Sequence, residues 1–197
     1  EANFAKFIGT KYAVGVASGT DAILLPLMAY RVTEGDEIIT TPFTFIATAT
    51  SIARLGAKPV FVDADQKSWT MDTNQIKKRI TKKTKAIMAV HIYGHPCDMD
   101  PIMEIAEKYG LYLIEDAAEA HGALYNGRKA GSFGHVNAFS FYSNKIITTG
   151  EGGMVITNDK KLAERVRWLE NFCMDKERRY YHKELGFKYP MTNIQAA

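Results

Sequence analysis

The sequence has few cysteines, no long apolar run and no strong charge of either sign. Only Cys97 and Cys173 occur in 197 residues, which excludes a disulfide framework. The richest apolar run, residues 22–29, is bracketed by Asp21 and Arg31 and is too short to cross a membrane. No secretory signal is visible. The sequence therefore predicts a cytoplasmic protein with no membrane partner.

The formal net charge is only +3 at pH 7. Its one concentrated source is the basic cluster at residues 77–85, which surrounds the end of an amphipathic helix and carries no interleaved aromatic residues. Proteins that bind single-stranded nucleic acid combine basic grooves with aromatic side chains on which bases stack. The cluster therefore indicates a solvated helix face, and no nucleic-acid partner is predicted.

Strand-like and helix-like segments alternate along the chain, which predicts a layered α/β domain. Helices are predicted over residues 20–31, 44–55, 73–80, 100–109 and 159–171, and strands over residues 12–16, 36–41, 59–62, 86–90, 111–114, 138–142 and 154–157. Asp72 is predicted to cap the third helix, with Gln75 in the capping-box position. Asn126-Gly127 predicts a hairpin turn. No repeat or linker divides the chain, so one domain accounts for residues 1–172.

The stretch Ser18-Gly19-Thr20 lies between a predicted strand and a predicted helix. Free main-chain N–H groups at a helix N-terminus, with hydroxyls beside them and a glycine that allows close approach, form a site for an anion such as phosphate. The same residues also fit an ordinary helix cap formed by serine or threonine. The stretch is neither a Walker loop nor a dinucleotide-binding glycine motif.

Two further residues occupy the ends of predicted strands. Asp116 follows the strand at residues 111–114, where open α/β sheets place their ligands. Its carboxylate either pairs with a ring nitrogen and keeps it protonated, or caps the following turn. Phe45, at a strand-to-helix junction, either stacks on a planar ring or belongs to the core.

Lys145 lies between the aromatic pattern at residues 138–142 and glycines at positions 150, 152 and 153. A lone ammonium among apolar groups is costly to keep charged, so burial favours the neutral amine. A neutral amine is a nucleophile that forms a Schiff base with an aldehyde. The alternative is a surface lysine just past a strand end.

Together these stretches supply a site for phosphate, a ring for stacking, an acid for a pyridine nitrogen and an amine for an aldehyde. Pyridoxal 5'-phosphate (PLP) has all four complementary features, and its chemistry requires that set of partners. The combined pattern therefore predicts a PLP site in which Lys145 holds the aldehyde and Asp116 keeps the ring nitrogen charged.

Five motifs resemble those of the DegT/DnrJ/EryC1/StrS nucleotide-sugar aminotransferases. They are Ser18-Gly-Thr-Asp-Ala22, Thr41-Pro-Phe-Thr-Phe45, His91-Ile-Tyr-Gly94, Glu115-Asp-Ala-Ala-Glu-Ala-His-Gly122 and Ser140-Phe-Tyr-Ser-Asn-Lys-Ile-Ile-Thr-Thr-Gly-Glu-Gly-Gly153. The resemblance implies the large domain of a fold-type-I PLP-dependent transferase, with three α/β/α layers and a mostly parallel sheet. A C-terminal small domain is expected to be absent, with residues 173–197 starting the connection towards it.

The resemblance also implies residue roles. Lys145 is the Schiff-base lysine and shuttles protons, Asp116 pairs with the pyridinium, and Glu119 lies near the ring hydroxyl, where many relatives have glutamine. The phosphate is held by Ser18, Gly19, Thr20 and Ser140, and Phe45 stacks on the ring. Lys188 replaces an asparagine that in relatives reaches the cofactor phosphate of the partner subunit, and Pro190 replaces an arginine. Lys188 can pair with a phosphate as a point charge.

The activity implied by the resemblance is the transfer of an amino group from glutamate to C4 of a nucleotide-linked 4-keto-6-deoxy sugar, for O-antigen or polysaccharide biosynthesis. A homodimer with the active site at the interface is implied as well. Three alternatives stay open. They are another fold-type-I reaction on a different keto sugar or an amino acid, a non-catalytic module that binds PLP or a sugar nucleotide, and a metal site formed by His91, His95 and Cys97.

Overall fold

The computed structural model describes residues 1–197, whose strands form one central sheet and one separate hairpin. The strands are β1 (Tyr12–Val16), β2 (Glu37–Thr40), β3 (Lys58–Phe61), β4 (Thr84–Val90), β5 (Tyr112–Asp116), β6 (Leu124–Tyr125), β7 (Arg128–Lys129), β8 (Val136–Ser140) and β9 (Gly153–Thr157). The helices are α1 (Ala2–Ile8), α2 (Gly19–Ala29), α3 (Ala47–Ala53), α4 (Thr73–Arg79), α5 (Met99–Tyr109), α6 (Lys160–Glu170) and α7 (Asn193–Ala196).

The central sheet has seven strands in the order β1-β9-β8-β5-β4-β2-β3. Strand β9 is antiparallel to both of its neighbours, whereas all the other pairs are parallel. Every strand except β9 therefore ends at the same edge of the sheet, and β9 begins there. The predicted α/β class with a mostly parallel sheet is confirmed.

Helices cover both faces of this sheet. Helices α2, α3 and α6 bury their apolar sides against one face in a cluster of 21 buried residues. Helices α4 and α5 cover the other face in a cluster of 13 buried residues. Helix α2 is buried continuously from Asp21 to Leu27, which explains why its sequence is apolar all round. No helix of the structure combines the length and the apolarity that crossing a membrane requires.

Most of the predicted local signals are confirmed. The Asp159 carboxylate accepts hydrogen bonds from the main-chain N–H groups of Lys161 and Leu162 at 2.8 and 3.2 Å, as a helix N-cap does. The predicted hairpin turn separates β6 from β7, and both turn residues have positive φ, 49° at Asn126 and 78° at Gly127. These values match a type I′ turn.

The predicted capping box at α4 is wrong, although Asp72 does cap the helix. A capping box requires the Gln75 side chain to accept the main-chain N–H of Asp72. That N–H instead donates to the Asp63 carbonyl at 2.9 Å. The Gln75 amide therefore donates to the Asp72 carboxylate at 2.8 Å, and its oxygen accepts the Asp63 N–H at 3.3 Å.

Two of the predicted boundaries that move do so where a local hydrogen bond turns the chain. Helix α3 begins at Ala47 rather than residue 44, because Thr44 belongs to a turn in which its N–H donates to the Pro42 carbonyl at 3.1 Å. Strand β8 ends at Ser140 rather than residue 142, because the Tyr142 N–H turns back to the Ser140 hydroxyl at 3.3 Å.

Helix α1 has no counterpart among the predicted elements. Its Phe4 ring packs edge-on against the rings of Phe139 and Phe141, with centroids 5.1 and 5.3 Å apart. The predicted division at residue 172 stays a prediction. Main-chain hydrogen bonds join Tyr189 to α6 and to the residue after β1, since its N–H donates to Glu170 at 2.8 Å and its carbonyl accepts from Ala17 at 2.7 Å.

Glu170, at the end of α6, carries a buried carboxylate. The residue is 4% exposed, and its Oε2 has no hydrogen-bond partner. Burial raises the pKa of Glu170 to about 7, with Arg167 opposing the rise and Glu1 adding to it. The ordinary value is 4.5, so the folded state binds a proton that the unfolded state has released between these pH values. The free energy of unfolding must therefore fall as pH rises from about 4.5 to about 7.

Glu170→Gln is expected to raise the midpoint of thermal unfolding at pH 8 and to leave it nearly unchanged at pH 4. The amide removes the ionised carboxylate, a gain of up to about 3 kcal/mol at the higher pH. Calorimetry at both pH values measures the difference. Glu164→Gln, at an exposed position on the same helix, is the control and should change neither midpoint. Equal shifts at pH 4 and pH 8 would contradict the assignment.

Candidate active site

A cavity of about 340 Å³ lies at the edge where the parallel strands end. It is lined by Ser18, Gly19, Thr20, Ile23, Thr44, Phe45, Ala47, Val90, His91, Ile92, Asp116, Ala118, Glu119, Ser140, Tyr142, Asn144, Lys145 and Glu151. Ligands of open α/β sheets bind at this edge. Every residue that the sequence predicts for the site lines this cavity, except Lys188.

The N-terminus of α2 forms one end of the cavity. Ser18 is the N-cap residue, and its hydroxyl accepts the Asp21 N–H at 3.1 Å while donating to the Asp21 carboxylate at 2.7 Å. The Ser18 side chain is therefore used for capping, as the alternative interpretation of this stretch expected. The first-turn N–H groups of Gly19 and Thr20 have no acceptor within the helix, and both residues line the cavity. They leave this end of the cavity suited to an anion.

Gly19 allows the helix to approach strand β8 closely. A Cβ atom at this position would lie 2.6 Å from the Cβ and 2.8 Å from the Oγ of Ser140. The Ser140 hydroxyl therefore faces the start of α2 across a gap that only glycine leaves open. Main-chain N–H groups and a hydroxyl converge at this point of the cavity wall.

Asp116, the last residue of β5, places its carboxylate in the cavity wall at 6% exposure. The Oδ2 atom accepts the Thr48 hydroxyl at 2.7 Å, and Oδ1 accepts the Ala118 N–H at 3.3 Å. The carboxylate thus caps the next turn weakly while it lines the cavity. Burial raises the pKa of Asp116, and the hydrogen bond from Thr48 opposes that rise. A cationic ligand group beside this carboxylate would favour its ionised form.

Lys145 lies in the segment that follows β8, and its side chain is only 14% exposed. The expectation of a lone ammonium is wrong, because Nζ lies 3.1 Å from Oε1 of Glu119. The other Glu119 oxygen, Oε2, accepts the Tyr93 N–H at 2.7 Å. Glu119 therefore holds the lysine with one oxygen and fixes Tyr93, which has a positive φ of 51°, with the other. The surface-lysine alternative is also wrong.

Phe45 is 71% exposed and lines the cavity mouth, so the core alternative is excluded. Lys188 is exposed and forms an isolated β-bridge with Asn171, away from the cavity lining of its own chain. His91, His95 and Cys97 do not form a group able to hold a metal ion.

The sequence did not assign two further features to this site: the threonine hydroxyls behind Asp116, and His91, which it placed only in a motif and in a possible metal site. Thr48 holds Asp116, and the Thr44 hydroxyl lies 2.7 Å from the Thr48 hydroxyl. His91 follows β4 and lines the wall beside Asp116. His91 directly follows an apolar strand that ends at the same edge of the sheet, and this position was the signal in the sequence that could have placed it at the site.

The comparisons with known proteins cover the whole chain. A model described as the DegT/DnrJ/EryC1/StrS aminotransferase family matches residues 1–197. A protein named GDP-perosamine synthase from Caulobacter vibrioides is 51% identical over 197 residues, which are 100% of this chain and 53% of that protein. The chain spans about half the length of the curated relatives it matches.

Two solved structures extend the comparison. DesV of S. venezuelae, in complex with a ketimine intermediate, gives a TM-score of 0.94 at 43% identity, covering 100% of this chain and 53% of that chain. NtdA of Bacillus subtilis, with bound cofactor PMP, gives a TM-score of 0.90 at 30% identity, covering 98% of this chain and 44% of that chain.

Proposed function

Since the chain belongs to the DegT/DnrJ/EryC1/StrS aminotransferase family, we propose that it acts as a PLP-dependent sugar aminotransferase. The proposed reaction moves an amino group from glutamate to C4 of a nucleotide-linked 4-keto-6-deoxy sugar, as a GDP-perosamine synthase-like enzyme. The observation that carries the proposal is that Lys145, Asp116 and the N-terminus of α2 line one cavity.

The cavity residues fit PLP in their chemistry. The first-turn N–H groups of Gly19 and Thr20, with the Ser140 hydroxyl, would hold its phosphate. The Asp116 carboxylate would hold a proton at its ring nitrogen, and Phe45 would cover its ring face. Glu119 would lie near its hydroxyl. A relative with 30% identity has PMP bound, which supports the same cofactor here.

When bound, PLP supplies an aldehyde for the incoming amine and an electron-accepting ring. Lys145 would hold that aldehyde between reactions and would supply the amine that moves a proton from the Cα of the amino-acid substrate. Glu119, whose Oε1 lies 3.1 Å from Nζ, would accept a hydrogen bond from the released amine and so hold it in place. In the first half-reaction glutamate leaves as 2-oxoglutarate; in the second, the C4 ketone is aminated. Ping-pong kinetics are expected.

The test supplies the purified gene product with PLP, glutamate and either the GDP- or the dTDP-linked 4-keto-6-deoxy sugar. The proposed function requires 2-oxoglutarate and an amino sugar in equal amounts from the GDP-linked substrate. Amination of the dTDP-linked sugar alone would favour the different-keto-sugar alternative. Bound cofactor that never yields 2-oxoglutarate would favour a non-catalytic binding module.

A homodimer is proposed as the assembly, with the cavity mouth facing the second copy. The mouth and its surroundings carry exposed apolar side chains, at 71% for Phe45, 78% for Tyr93 and 69% for Ile146, and such patches mark interaction sites. Lys188, exposed on its own chain, is proposed to reach the phosphate site of the partner. Analytical ultracentrifugation measures the assembly state of the purified protein, and a monomer at micromolar concentration would contradict the proposed homodimer.

A reducing, cytoplasmic compartment is proposed because Cys97 and Cys173 are both free.

Gly19→Ala is expected to weaken PLP binding about tenfold or more, because the added Cβ would meet Ser140 at 2.6 Å. The substitution moves the start of α2 away from the Ser140 hydroxyl, and both are proposed to hold the phosphate. Binding of pyridoxal, which lacks the phosphate, should change much less. Fluorescence titration with both compounds measures the contrast. Gly15→Ala, whose Cβ would have no neighbour closer than 3.6 Å, is the matched control. Equal losses for both compounds would remove Gly19 from the phosphate site.

A further inference from the structure

A buried pair, His91 and Glu115, lies behind the cavity and has no role in the chemistry described above. The His91 Nε2 lies 2.8 Å from Oε2 of Glu115, and neither side chain is exposed to solvent. Burying a carboxylate is costly unless hydrogen bonds replace its hydration.

Glu115 has a full set of donors. Its Oε2 also accepts the Gly131 N–H at 2.7 Å, and its Oε1 accepts the N–H groups of Phe133 and Gly134, both at 2.6 Å. These donors belong to the segment that leads into β8. Glu115 therefore ties β5, which ends at Asp116, to the start of the strand that ends at Ser140.

His91 connects the same point to β4. Its Nδ1 accepts the Cys97 N–H at 3.1 Å, so the proton donated to Glu115 must reside on Nε2. This bonding pattern requires the neutral ring, because a protonated ring would point an N–H at the Cys97 N–H. The main-chain N–H of His91 donates to the Asp116 carbonyl at 3.0 Å. One residue thus contacts both Glu115 and Asp116 while lining the cavity.

We propose that His91 is a positioning residue: its bond to Glu115 fixes the end of β5, so that the Asp116 carboxylate is held towards the cofactor's ring nitrogen. The inference rests on the proposed function, because it assumes that Asp116 is the partner of that nitrogen. It predicts that changes at His91 alter recognition of the ring nitrogen and not recognition of the phosphate.

The test compares binding of PLP with binding of its carbocyclic analogue, in which C–H replaces the ring nitrogen. His91→Asn keeps an acceptor for the Cys97 N–H but is too short to reach Glu115. It is expected to weaken PLP binding about tenfold and to leave binding of the analogue unchanged. His91→Gln, whose amide can donate to Glu115, should restore most of the affinity for PLP. Asp116→Asn provides the reference for lost recognition of the nitrogen.

Equal losses for PLP and the analogue in His91→Asn would overturn the inference, because a purely structural role predicts them. If His91→Asn does not fold, His91→Gln provides the test. This variant must still bind PLP more tightly than the carbocyclic analogue, and loss of that difference would overturn the inference. Val166→Ala, at a fully buried position on α6, lowers stability away from the cavity and should change neither affinity. Failure of the unmodified protein to bind PLP would instead refute the proposed function itself.

Discussion

Lys145→Ala is expected to lower the rate of amino transfer by at least about 10³-fold. Alanine removes both the proposed covalent anchor for the cofactor aldehyde and the amine proposed to carry the proton, and no other lysine lines the cavity. The visible absorption band that depends on the lysine-bound cofactor should disappear. Stopped-flow measurement of each half-reaction, with absorbance spectra of the same sample, tests both effects.

The same variant should still bind the cofactor through the proposed phosphate and ring-nitrogen contacts, so its binding is weakened but not lost. Lys161→Ala, at an exposed position on α6, is the matched control and should keep the rate and the spectrum. An unchanged spectrum in the Lys145 variant would remove this residue from its role and, with it, the proposed function.

Asp116→Asn is expected to reduce the rate by on the order of 10²-fold or more, because a neutral amide cannot hold the ring nitrogen in its charged form. The amide oxygen can still accept the Thr48 hydroxyl, which now lies 2.7 Å from Oδ2. Burial raises the pKa of Asp116, so the ionised form costs folding energy as pH rises through that pKa. The cofactor-free variant should therefore unfold at the same or a higher temperature at pH 8.

Turnover and thermal unfolding of the variant, measured side by side, separate chemistry from stability. Asp159→Asn makes the same substitution at a helix cap remote from the cavity, where asparagine caps as well as aspartate, and should change neither. A large fall in the unfolding temperature of Asp116→Asn, with catalysis lost in proportion, would indicate that this carboxylate serves the fold rather than the cofactor.

The architecture could be predicted from the sequence because its signals are local. Alternating apolar segments and helix caps identify the layers, and β1 and the helix capped by Asp159 are found where the sequence places them. Helix α1 was missed because its stability depends on Phe4 packing against Phe139 and Phe141. Those contacts join residues more than a hundred positions apart, and no window of sequence contains both sides.

The site was predictable to the level of its residue types, because the ends of parallel strands must meet at one sheet edge. Its electrostatics were not. Lys145 and Glu119 are separated by 26 positions, yet their side chains form an ion pair. Thr48 and Asp116 are separated by 68 positions and share a hydrogen bond. Such partners depend on the distances between neighbouring strands, which composition and spacing do not specify.

The single antiparallel strand of the central sheet, β9, has a consequence for the loop that carries Lys145. Ser140 pairs with Gly153, and the Phe141 N–H donates to the Gly152 carbonyl at 2.8 Å. The chain therefore leaves the sheet at the end of β8 and re-enters it at the start of the adjacent strand, β9. Residues 142–151 form a loop whose two ends lie on adjacent strands, while Phe141 and Gly152 at those ends stay buried. Substitutions within residues 142–151 can therefore change the position of the Lys145 amine without changing the buried residues that join the loop to the sheet.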